Sequence, residues 1–226
     1  MRQSVIISTI LLVGATGSRA SADSELALGL KSGLSSATLS HDNREDLRGL
    51  SAGLAADLQW SLSERASLAG QLDLLYTPRG ADVVVDGASI GNLRQHYLDL
   101  VLLARPAWRV GPVSIYVLLG GGLSVLAHAT SEDSNGKSQD VTSDLNRLDV
   151  AVVVGAGIAV PLPPTLRPLQ LSAIFLEVRR DQGLIDIDMV DAGFKNRTNS
   201  IMLGLSFAIS PRTSPASPTQ SAQRSQ

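Results

Sequence analysis

Lys31, Asp57, Asp73, Asp99, Arg105 and Asp149, with Glu177 and Arg179, are the residues whose types and spacing carry chemistry in this chain. The first six fall on the small or polar parity of a stretch whose other parity is apolar, and Glu177 and Arg179 join them after a β-bulge. Residues two apart in an extended chain share a face, so these groups should converge inside whatever the strands enclose. Lined by water, they make a pathway for ions or small solutes. Packed together they make a plug of ion pairs, because a charge isolated from water is costly. An eight-stranded enclosure has an interior just wide enough for side chains to fill, which favours the plug.

His41, His96 and His128 are the three histidines, and all map to loops or strand ends on one side. A metal site or a catalytic base would draw on them. Ser and Asp are abundant near each, so a Ser/His/acid set at the rim is the enzyme alternative, against plain surface histidines. Gly120-Gly121-Gly122 is no phosphate loop, since no Lys and helix follow. The acids of residues 131–140 lack calcium-loop spacing. No catalytic set, cofactor or metal is therefore expected. The net charge of −2 and the lack of a basic patch argue against nucleic acid.

The elements that must position the charged set are strands. In residues 48–76 the even positions Leu50, Ala52, Leu54, Ala56, Leu58, Trp60 and Leu62 are apolar, against Gly, Ser, Ala, Asp and Gln on the odd ones. After Ser63-Glu64-Arg65, Ala66, Leu68, Leu72, Leu74 and Tyr76 continue that face. A period of two on both sides of a short turn predicts an antiparallel hairpin. Each run is about the length that a tilted strand needs to cross a bilayer.

The same alternation predicts further strands over residues 25–34, 96–108, 113–127, 148–160, 169–180 and 198–209, eight in all. Gly111-Pro112 and the four prolines of residues 161–168 mark turns. Leu169, Leu171 and Phe175 compete with Glu177 and Arg179 for one parity, which predicts a β-bulge between Ser172 and Leu176. Residues 35–46, 78–95, 128–147 and 181–196 read as long polar loops.

Connections thus alternate long and short, the order of an outer-membrane barrel with short periplasmic turns. Trp60, Trp108 and Phe207 sit on the outward parity near the short-turn side and Tyr76 toward the other, as membrane-interface belts do. The fold class is all-β: an eight-stranded antiparallel up-and-down transmembrane β-barrel. A soluble lipocalin-type barrel, the rival, would put polar residues outside and apolar ones inside.

Arg2, the apolar run of residues 5–13 and Ala20-Ser21-Ala22 read as a signal peptide over 1–22, with a retained anchor as the alternative. The chain has no Cys, so neither a lipoprotein anchor nor a disulfide framework is expected. The barrel spans 23–210, and residues 211–226 form a Ser/Pro/Thr/Gln tail read as disordered.

GLKSGLS, LSAGLAADLQWSLSERASLAGQLDLLYTPRGA, YLDLVLLARPAWR, SIYVLLGGGLSVL, LDVAVVVGAGIAV, FLEVRRDQGLIDI and FKNRTNSIMLGLSFAI, in that order and spacing, resemble the PorT-like outer-membrane β-barrel family over nearly the whole mature chain. The resemblance implies an eight-stranded barrel of the OmpA/OmpX type. Most such proteins have no assigned activity, and the namesake takes part in a secretion and gliding system. Two features depart from the pattern. Arg180 stands where an aromatic is common, and the tail moves Phe207, which the barrel-insertion machinery would read, away from the chain end.

The expected function is an integral outer-membrane barrel of a Gram-negative cell, non-enzymatic, with a structural or surface-recognition role. A porin-like narrow channel and a rim lipid or peptide hydrolase are the alternatives. Its partners would be outer-membrane lipids, the insertion machinery and an unknown surface or periplasmic protein.

Overall fold

The computed structural model describes residues 24–39, 44–85, 88–133, 137–163, 165, 170–185 and 195–209. The expected signal peptide, His41 and the tail lie outside these residues. The elements are β1 (Ser24–Leu39), β2 (Arg44–Ser61), β3 (Ala66–Val85), β4 (Ala88–Val110), β5 (Val113–Asp133), β6 (Ser138–Asp140), β7 (Leu148–Pro161), β8 (Leu171–Gly183) and β9 (Asn196–Ala208). Each long strand pairs antiparallel with the next, β4 pairs with β5, and β9 returns to β1, closing an eight-stranded barrel. Strand β6 adds only to the far end of β5, before a 3-10 turn at Thr142–Asp144.

Register follows from the alternation. Leu30, Leu54, Leu74, Leu100, Leu123 and Val150 pair in one continuous row across six strands, all exposed on the outer face. A slip of one residue would turn Lys31, Asp73 and Asp99 outward and these residues inward, so the pattern admits one register. The outward apolar surface runs around the barrel, with Leu34 68% and Leu102 64% exposed. That is the reverse of a soluble lipocalin-type barrel and the arrangement that hydrocarbon stabilises.

The turns obey local chemistry. Ser63 Oγ accepts the Ala66 amide at 3.1 Å and closes the β2–β3 turn. Gly111, at φ +61, makes the β4–β5 turn in the left-handed region where a side chain would be strained. Inside, Tyr116 lies flat over Gly157, its partner across β5 and β7. A Cβ at 157 would sit 2.5 Å from the ring, so only glycine leaves room.

Several boundaries differ from expectation. Residues 78–85 and 88–95 are not loops: β3 and β4 stay paired to Val85 and Ala88, with β2 alongside as far as Val83 and β5 from Gly91, because ladder hydrogen bonds satisfy the backbone whatever the side chains. Strand β5 likewise runs on to Asp133, and the β1 and β2 ladders extend into the expected loop of residues 35–46. Pro161 ends β7, paired with Ala173, rather than opening a turn; at a strand end its missing N–H costs nothing. The bulge sits at Ser172, between the Leu171 and Ala173 pairings. Phe175 consequently faces inward with Glu177 and Arg179, 6% exposed, instead of outward with Leu171.

Candidate functional site

Alternation along eight strands delivers the charged set to the lumen, where the ion pairs occur at three levels. At the short-turn end Arg105 pairs with Asp57 at 3.5 Å and lies 5.1 Å over the Tyr116 ring. In the middle, Lys31 Nζ contacts Asp73 at 3.0 Å and Glu177 at 3.1 Å. Arg179 contacts the same two carboxylates at 2.6 Å each. The result is a closed ring of two cations and two anions, drawn from β1, β3 and β8. Gln71 donates to Asp73, and the Tyr116 hydroxyl donates to Glu177 at 3.2 Å.

Toward the long-connection end, Arg79 donates to Asp99 at 2.9 Å and Ser124 at 3.0 Å, reaches Asp149 at 3.4 Å and covers the Tyr97 ring at 4.6 Å. Asn196 donates to Asp149 at 3.0 Å. Lys31, Asp57, Asp73, Asp99, Asp149, Glu177 and Arg179 are all buried, and Arg105 is half-buried. Desolvating such groups is tolerable only when they are paired.

Arg79, the hub of the upper level, is absent from the sequence-derived set because residue 79 fell in an expected loop. The signal was present: Asp73, Leu75, Thr77 and Arg79 continue one parity. Buried Gln71, Gln95, Tyr97, Tyr116 and Asn196 complete the lining. An apolar wall of Leu75, Val101, Leu103, Leu118, Val153 and Met202 packs beside them. A cavity of about 750 Å³ opens at the short-turn end, and its lining reaches Asp57, Arg105, Tyr116 and Phe175.

The aromatics Trp60, Trp108 and Phe207 lie near the short-turn end of β2, β4 and β9. Tyr76 is on the outer face of β3, its hydroxyl 2.6 Å from His96 Nδ1. His96 stacks on His128, its cross-strand partner, at 6.3 Å between ring centres. His128 Nδ1 is 3.5 Å from the Thr142 hydroxyl and 3.9 Å from Asp140. A nucleophile-base-acid relay needs nucleophile and acid on opposite ring nitrogens; here both oxygens face the same one. Hydrogen bonds from Thr142 hold the Asp140 carboxyl below the ordinary carboxylate range. Among the described residues no group of three His, Cys, Asp or Glu side chains is placed to hold a metal ion.

No curated protein matches the chain. Solved structures that it resembles include Ail of Yersinia pestis (15% identity, 81% of this chain and 99% of that one, TM-score 0.41) and Neisserial surface protein A (13%, 80% and 96%, 0.44). A third is the outer membrane enzyme PagL (12%, 81% and 99%, 0.43). The family described as outer membrane protein beta-barrel domain matches residues 17–189. With its closed antiparallel barrel, lipid-facing apolar surface and buried ion pairs, the chain belongs to that outer-membrane family.

Proposed function

We propose that this protein is a non-conducting, non-enzymatic barrel of the Gram-negative outer membrane, exported by its N-terminal signal peptide, whose long-connection rim serves recognition. The carrying observation is the middle ring of Lys31, Asp73, Glu177 and Arg179, which occupies the middle of the lumen with charges that neutralise one another. Above it the β3–β4 ribbon, paired out to Val85 and Ala88, extends toward a surface partner, and the short-turn rim faces any periplasmic one. The motif order supports a PorT-like assignment within the family, with Phe207 the feature read by the insertion machinery.

Proteoliposome swelling tests the plug. Vesicles containing the full chain should swell in a small sugar no faster than empty ones. Swelling that disappears on Asp99→Ala or Arg105→Ala would establish the narrow channel instead. For the rim hydrolase, loss of lipid or peptide cleavage on replacing His96 or His128 is the required result, and the shared Nδ1 of His128 weighs against it.

A further inference from the structure

On the outer face of β8, β9, β1 and β2, Val178, Ile201, Leu34 and Leu50 pair in one row, each more than half exposed. Two residues nearer the long-connection end, the next outward row is Arg180, Asn199, Ser36 and Arg48. The first row is wholly apolar and the next is polar, with an arginine at each end. Arg197 lies in the row above, its Nε donating to Gln182 at 3.1 Å. Among the described side chains no carboxylate pairs with Arg48 or Arg180, whereas every lumen cation contacts an acid.

Guanidiniums gathered on one face repel, and the repulsion grows where hydrocarbon lowers the dielectric. An anion at the edge of the apolar belt offsets it. A guanidinium fork fits a phosphate bidentately, and the phosphates found at that depth are those of lipid headgroups.

We propose that Arg180, Arg197 and Arg48 form a seat for the phosphate of an anionic outer-leaflet lipid. Asn199 offers an amide donor between them, and the acyl chains lie over Val178, Ile201, Leu34 and Leu50. The seat faces away from the lumen, so it stands or falls apart from the plug.

The test uses the full chain in phosphatidylcholine bilayers with spin-labelled phosphatidic acid, and spin-labelled phosphatidylcholine as reference. Phosphatidic acid should associate about five- to thirtyfold more strongly, as expected for one or two arginines at a membrane surface. Replacing Arg180, Arg197 and Arg48 together by Gln should bring the ratio to unity, Arg48→Gln alone should lower it in part, and Arg109→Gln at the opposite rim should leave it unchanged. Heat-shifted gel migration verifies that each variant is folded. Equal association of the two labels, or a preference that survives the triple variant, overturns the proposal. So does displacement of the labelled lipid by inorganic phosphate, which would identify a soluble-anion site.

Discussion

The middle and upper levels of the lumen are both built from buried ion pairs, but only the middle one balances its charges. In the middle, Lys31 and Arg179 face Asp73 and Glu177, and all four carboxylate oxygens have protein partners. In the upper level Arg79 is the cation shared by Asp99 and Asp149, with Asp181 also among the inward carboxylates. One oxygen of each of these three acids, and both polar atoms of Gln95, lack a protein partner. A balanced ring resists change at any member. A level rich in acid depends on its cation and tolerates loss of an acid.

The largest effect should therefore come from Arg79→Met. It strands the upper carboxylates and should cost near the top of the about 3–5 kcal/mol typical of breaking a buried pair, read from urea unfolding of the folded band. Asp73→Asn should cost about 3 kcal/mol, because both ring cations retain Glu177. Asp149→Asn keeps an acceptor for Asn196 and relieves like charge, so its unfolding free energy should stay within about 1 kcal/mol of the parent. A cost equal to that of Asp73→Asn would erase the distinction between the levels.

The smallest effect lies outside the lumen. Asp140 titrates below its unfolded value of about 3.9 because Thr142 hydrogen-bonds its charged form. Its stabilisation of the β6 turn is complete above that pH and is lost as pH falls through the lower folded value. The Thr142 amide resonance should follow that titration, and Asp140→Asn should abolish the shift.

Much of this architecture was legible because lipid outside and charge inside impose a strict period of two. That period placed Lys31, Asp57, Asp73 and Asp99 on the inner face before any partner was known, whereas Glu177 needed a bulge as well. The partners themselves were not legible. Lys31 meets Glu177 across 146 positions, a contact set by the register around the whole ring. Arg79 was hidden because polar composition suggested a loop, whereas beyond the apolar belt a paired ribbon needs no apolar face. Phe175 depended on which side of a one-residue bulge it fell.

Single-channel recording in planar bilayers tests the closed lumen most directly. The parent protein should give no steady conductance steps, while Lys31→Ala with Asp73→Ala, which removes one cation and one anion from the ring, should give small ones. Steps in the parent that vanish with Asp99→Ala or Arg105→Ala would contradict the account and make this barrel a channel.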